Sequence, residues 1–175
     1  RKMFTRNHSQ LTSQTIRRSV IVCAALLALS CETQAIPDTL YAGNKLNKFL
    51  TIDPSNGIPT IIDPDVGHDI RTMAFDPSSG VLYGASQLGG FFTVDPTNGD
   101  VTVIKSDPSP NVDEINAMAF DPSSGVLYGG NTSEDFFIIN PSNGFVTDIN
   151  TTVGHIITAM AFDPSSGVLY GASQL

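Results

Sequence analysis

His68 and His155 are the side chains with most chemical potential in this sequence; each stands five residues before a methionine, Met73 and Met160. Asp113 holds the same position before Met118. Two imidazoles and a carboxylate at matched positions could form a ring of polar groups that binds a metal ion or a polar ligand. They equally suit loop residues that cap backbone groups in every copy of a repeated unit. The regular recurrence favours this structural reading, because ligand sites usually differ from copy to copy. Two histidines among scattered acids show no metal-ligand spacing. The segment Asp76-Pro77-Ser78-Ser79-Gly80 lacks the alternating Asp/Asn ligands of a calcium loop. No catalytic constellation stands out, and no metal or cofactor is expected.

Those positions belong to a repeat. Met73-Ala74-Phe75-Asp76-Pro77-Ser78-Ser79-Gly80-Val81-Leu82-Tyr83-Gly84 recurs unchanged from Met118 to Gly129 and from Met160 to Gly171, at spacings of 45 and 42 residues. A worn copy begins at Leu40-Tyr41-Ala42-Gly43, and all four tyrosines, Tyr41, Tyr83, Tyr128 and Tyr170, occupy one repeat position. A second element, Asp53-Pro54-Ser55-Asn56-Gly57, returns at Asp95–Gly99 and, with Asn first, at Asn140–Gly144. Self-similarity at this period means repeated supersecondary units.

Each unit reads as four short strands: Ile70–Phe75, Val81–Ala85, Phe91–Val94 and Val101–Ile104, rich in β-branched and aromatic residues. The Asp-Pro-Ser-Ser-Gly turn closes the first hairpin. Asp accepts backbone hydrogen bonds there, Pro sets φ and Gly takes a positive φ. Seven acids after residue 35 precede proline, so much of the negative charge belongs to turns. Along the first strand Met73 and Phe75 face one way, and Ile70, Thr72 and Ala74 the other. Large residues on one face and mostly small ones on the other suit sheets stacked on both sides. Phe120→Ala is then expected to cost about 3–5 kcal/mol.

A four-stranded unit of 42–45 residues is the period of a β-propeller blade. Gly67-His68, the Asp-Pro-Ser-Ser-Gly turn, Val81–Tyr83 and Val94-Asp95 resemble the WD-repeat plan. The third-strand Asp-x-x-x-Gly turn resembles more closely the bacterial secreted propellers of YVTN and NHL-like type. The resemblance covers about residues 38–175 and implies architecture. The WD tryptophan is missing throughout, so that family's buried tetrad cannot form, and no functional residue is carried over. The expected fold is all-β, a propeller of four-stranded antiparallel blades, incomplete in this chain. Blade segments fall at about 38–63, 69–106, 114–150 and 156–175, within a partial propeller over 36–175. The chain opens on Arg1 and stops while copying Tyr83–Leu88, so it reads as a fragment of a longer protein. If it is complete, its open edges would pair with another chain by self-association.

Residues 1–35 differ in kind. Arg17-Arg18 precedes the ten-residue apolar run Val20–Leu29, too short for a bilayer of about 30 Å. Thr33-Gln34-Ala35 completes the pattern of a secretory signal peptide, leaving Ile36 first in the mature chain. Ser30-Cys31 is similar to a bacterial lipoprotein site and offers an alternative route with a lipid anchor at Cys31, although Ala28 and Leu29 fit it poorly. Both cysteines, Cys23 and Cys31, lie in this leader, so the rest of the chain has no thiol for a disulfide, a nucleophile or a metal. The expected location is extracellular or periplasmic. After residue 35 the chain has four Lys/Arg and sixteen Asp/Glu, a charge that opposes nucleic-acid binding. No transmembrane segment is expected in the mature body.

The turns after the first and third strands barely vary between copies, whereas the loops at the other end do. A scaffold keeps its turns and varies the loops that meet partners. The candidate ligand-facing residues are therefore Lys45, His68, Asp69, Arg71, Asp113, Glu114, Glu134, Asp135 and His155. Asn131-Thr132-Ser133 and Asn150-Thr151-Thr152 at this end also fit the glycosylation pattern. The expected function is an exported, non-catalytic binding or surface-interaction scaffold, with a protein, glycan or small molecule on the variable face. One alternative is part of a propeller enzyme, a lactonase-like hydrolase or quinoprotein-like oxidoreductase with its site in further blades. Another is a purely structural repeat module. Near-identical copies lean against the enzyme, whose active site needs blades to diverge.

Overall fold

The computed structural model describes residues 39–86, 89–106 and 114–174. The chain divides into compact units Arg1–Pro37 and Asp38–Leu175, and every described residue belongs to the second. Arg17-Arg18, the apolar run, Cys31, the cleavage site at Ala35, and Asp113 lie outside the described residues.

Among the described residues thirteen strands follow one another: β1 (Leu40–Gly43), β2 (Phe49–Ile52), β3 (Pro59–Asp63), β4 (Thr72–Asp76), β5 (Val81–Ala85), β6 (Phe91–Val94), β7 (Val101–Lys105), β8 (Ala117–Asp121), β9 (Val126–Gly130), β10 (Phe136–Ile139), β11 (Val146–Asn150), β12 (Ile156–Asp163) and β13 (Val168–Gln174). They form four antiparallel meanders in chain order, β1-β2-β3, β4-β5-β6-β7, β8-β9-β10-β11 and β12-β13. Among the described residues there is no helix, hence none long and apolar enough to cross a membrane. The architecture is all-β, built of antiparallel propeller blades, with two full four-stranded blades between sheets of three and two strands. β5 and β6 have their expected bounds; β4 starts two residues later than the apolar pattern indicates, for a reason that lies in the site below.

The turns work as their composition dictates. Asp76 Oδ1 accepts from the Ser78 N–H at 2.8 Å and from its hydroxyl at 2.7 Å, while the Ser79 hydroxyl donates to Oδ2 at 2.6 Å. The Gly80 N–H closes onto the Asp76 carbonyl at 2.9 Å, with Gly80 at φ +73°. The same hydroxyl bonds recur at Asp121 and Asp163.

Hydrophobic cores lie between successive sheets. Phe49, Ile70, Leu82, Phe92 and Val94 form one; Ala74, Tyr83, Phe91, Ile115, Met118, Leu127, Phe137 and Ile139 belong to the next. Adjacent residues of a strand face opposite sides, so Phe91 and Phe92 enter different cores. The recurring tyrosine joins them. Tyr41, Tyr83 and Tyr128 stack on Phe49, Phe91 and Phe136 of their own sheets, with centroids 5.6–5.8 Å apart. Tyr41 and Tyr83 also meet Phe75 and Phe120 of the following sheet at 5.9 and 6.4 Å. The first-strand phenylalanines are less enclosed than their pattern implies. Phe75 is 40% exposed and Phe120 half-buried, so Phe120→Ala falls below the cost expected for a fully buried ring. In the last sheet, Tyr170 is 57% exposed.

Candidate binding site

The first strands β4, β8 and β12 lie side by side along one edge of their sheets. The Met118 N–H donates to Thr72 Oγ1 at 3.1 Å, tying β8 to β4. Each of these strands carries an extra residue at the same repeat position. Ala85 is registered with Thr72, yet its carbonyl also accepts from the Arg71 N–H at 2.9 Å. Gly130 is registered with Ala117 and accepts from the Asn116 N–H at 2.9 Å. In β12 the register slips between Ile157 and Ala159, leaving Thr158 as the extra residue. Such a bulge bends the strand and re-aims one side chain. It also explains why β4 begins late.

The preceding isoleucine wedges against the neighbouring sheet. Ile70 abuts Gly43 and Ile157 abuts Gly130, so closely that a Cβ on either glycine would collide with it. With that isoleucine locked, the next residue turns to a shared space. Arg71, Asn116 and Thr158 converge there, and Gly43, Asn44, Lys45 and Ile70 complete an open cavity of about 390 Å³. Thr158 Oγ1 donates to the Ala172 carbonyl at 3.3 Å. Asn116 is 5% exposed, and its Oδ1 and Nδ2 are both buried without a partner. An orphaned buried amide costs about 1–3 kcal/mol, so this one needs an explanation.

The cavity lies at the variable-loop end. There Asn44 caps its own loop, its Oδ1 accepting from the Leu46 and Lys48 N–H groups at 2.9 and 3.1 Å, and Lys45 projects exposed. Asn131 does the same for the Ser133 and Asp135 N–H groups, both at 2.9 Å. Its Nδ2 donates to Asp135 Oδ2 at 2.8 Å and the residue is 1% exposed, so the glycosylation pattern at Asn131 is structurally closed, whereas Asn150 is exposed.

Of the residues singled out by sequence, Lys45 and Arg71 come together in this cavity. His68 packs half-buried on Phe92, with centroids 5.2 Å apart. Asp69 is half-buried, with Oδ1 unpartnered. Glu114 is half-buried beside Ile115, and His155 is exposed. Glu134 takes φ +67°, its carbonyl accepting from the Val153 N–H at 3.0 Å, and Asp135 serves the Asn131 loop. Asn44, Asn116 and Thr158 went unnoticed in the sequence. The available signal was the position two before each repeated methionine, where Arg, Asn and Thr alternate within a near-identical strand. Among the described residues no group of three His, Cys, Asp or Glu could hold a metal ion.

At the opposite end the carboxylates are committed to turns. Hydroxyl and N–H bonds from Ser165 and Ser166 hold Asp163 down at about 2. The Ser55 bonds lower Asp53, those of Thr97 lower Asp95, and those of Ser123 and Ser124 lower Asp121. At Asp76 burial pushes upward, but the Ser78 and Ser79 bonds outweigh it and the net shift is down. Such groups stay ionised at neutral pH and are poor proton-transfer groups.

No protein-family model and no curated protein matches the chain. Solved structures do match in shape. A chain of a nidogen/laminin complex superposes with TM-score 0.60 at 15% identity, over 77% of this chain and 52% of that one. A structural-genomics protein of unknown function from Bacteroides thetaiotaomicron gives TM-score 0.57 at 17% identity, over 78% and 36%. The chain thus spans about half and about a third of these two. At such identities the likeness concerns the fold, and the first of them is a propeller.

Proposed function

We propose that this protein is an exported propeller that acts without catalysis, binding its partner at the variable-loop end. The observation that carries this is the contrast between the two ends. Turns at one end repeat almost residue for residue, while at the other end blades of common geometry present Arg71, Asn116 and Thr158 to one cavity. Rigid blades fix the positions and substitution at them sets what is recognised. The structural likeness to a chain from a nidogen/laminin complex supports an interaction scaffold, as does the commitment of the turn aspartates to hydrogen bonding. Export rests on the basic flank, the short apolar run and the Ala35 cleavage pattern.

The body after Ala35 has no cysteine, so single thiols can be placed at will. A bulky maleimide on Thr132→Cys, at the loop end, is expected to block binding of any ligand found by glycan or small-molecule screening. The same label on Ser142→Cys, at the turn end, is expected to leave it intact. The reverse pattern overturns the reading, as does turnover of a lactone or an alcohol substrate. N-terminal sequencing of protein expressed with its leader is expected to start at Ile36. An uncleaved chain retained inside the cell overturns export.

A further inference from the structure

We infer that the cavity formed by Arg71, Asn116, Thr158 and Lys45 is a binding site for a small oxyanion, a carboxylate or phosphate group. The inference rests on the loop-end reading above and names its ligand class. Three observations converge on it.

Charge comes first. After residue 35 acids outnumber Lys/Arg sixteen to four, the four being Lys45, Lys48, Arg71 and Lys105. Two of these four line this one cavity, and among the described residues no carboxylate does. A local cationic site in a strongly acidic body concentrates anions against the surrounding field. Asp69 precedes Arg71 by two residues but is not among the lining groups.

The second observation is the unpartnered amide. Asn116 is 5% exposed, lies in the cavity wall, and has neither donor nor acceptor satisfied by protein. An apolar residue would fill that place at lower cost, and the two equivalent positions carry Arg and Thr. The amide N–H groups of Asn116 and the guanidinium fork of Arg71 are the donor types that a planar or tetrahedral oxyanion requires. The third is preorganisation. The bulge holds Thr158 within β12 and fixes Arg71 and Asn116 immediately before β4 and β8, each tied through its N–H to a carbonyl of the adjacent strand at 2.9 Å, while Lys45 stands on the Asn44-capped loop.

The full chain, labelled with ¹⁵N, is titrated separately with citrate, inorganic phosphate and glucose while the Asn116 side-chain amide is followed by NMR. Citrate or phosphate is expected to shift that amide saturably, and glucose is not. Comparison of the two anions distinguishes a carboxylate ligand from a phosphate one. Arg71→Ala is expected to weaken binding at least tenfold and Lys45→Glu severalfold. Both residues are partly or fully exposed, so these variants should fold, and an unchanged far-UV spectrum verifies it. If glucose binds as well as citrate and Arg71→Ala has no effect, the oxyanion assignment falls while the loop-end reading stands. If the shifts map only to the Asp-Pro-Ser-Ser-Gly turns, both fall. If no probe shifts the amide, bound water satisfies Asn116 and the inference is wrong.

Discussion

Gly129→Ala adds one methyl group where the β9 backbone lies directly against buried side chains of β10. Gly129 sits in β9 opposite Phe137 of β10. A Cβ built on it would overlap Phe137 Cε2, reach Phe137 Cδ2 at 2.8 Å and Ile139 Cδ1 at 2.9 Å. Phe137 and Ile139 are both 0% exposed, so neither can swing into solvent to make room. Overpacking of this kind costs about 1–3 kcal/mol, a fall of several degrees in Tm for a domain of this size. The repeat supplies its own control. Gly171 holds the same place in the last sheet and has nothing within 4 Å of its virtual Cβ. There the extra methyl only reduces chain entropy, so Gly171→Ala is expected to be neutral or to stabilise by up to about 1 kcal/mol. Urea unfolding followed by circular dichroism compares the two variants. Adding Phe137→Leu to Gly129→Ala should cost less than the sum of the two single changes, because the clash is shared. Equal effects of Gly129→Ala and Gly171→Ala, within about 0.5 kcal/mol, would refute the close-approach argument.

Asp163 lies near 2 when folded, below its ordinary 3.8, so its carboxylate contributes stability above pH 3.8 that is lost as pH falls through about 2; a carboxyl ¹³C titration with a midpoint near 3.8 would contradict this. Asn116→Leu removes an unsatisfied buried amide and is expected to raise ligand-free stability by about 1 kcal/mol while abolishing binding; a clear loss in denaturant unfolding would mean the amide is already satisfied. Phe137→Ala is expected to cost about 3–5 kcal/mol, whereas Tyr170→Ala, at 57% exposure, should cost under about 1 kcal/mol; similar midpoints for the two would show that the last sheet is packed as tightly as the third.

The strand pattern, the turns and the repeat were legible from residues alone because each depends on local rules. An Asp-Pro-Ser-Ser-Gly segment specifies its own hydrogen bonds, and alternating apolar residues specify a half- or fully buried strand whatever lies beyond. β5 and β6 therefore stood at their expected bounds. Charge and thiol content are likewise properties of the chain itself: after residue 35 sixteen Asp/Glu face four Lys/Arg, and both cysteines lie before it. What tertiary structure alone decided was how positions far apart in sequence share space. The bulges at Arg71 and Thr158 follow an isoleucine that wedges against the preceding sheet, a contact 27 residues away in sequence both between Ile70 and Gly43 and between Ile157 and Gly130. Their convergence with Lys45 on one cavity depends on strands β4, β8 and β12 lying side by side. The exposure of Phe75 and the burial of Asn116 have the same origin: strand periodicity says which way a side chain points, and only the packed neighbours say what it meets there.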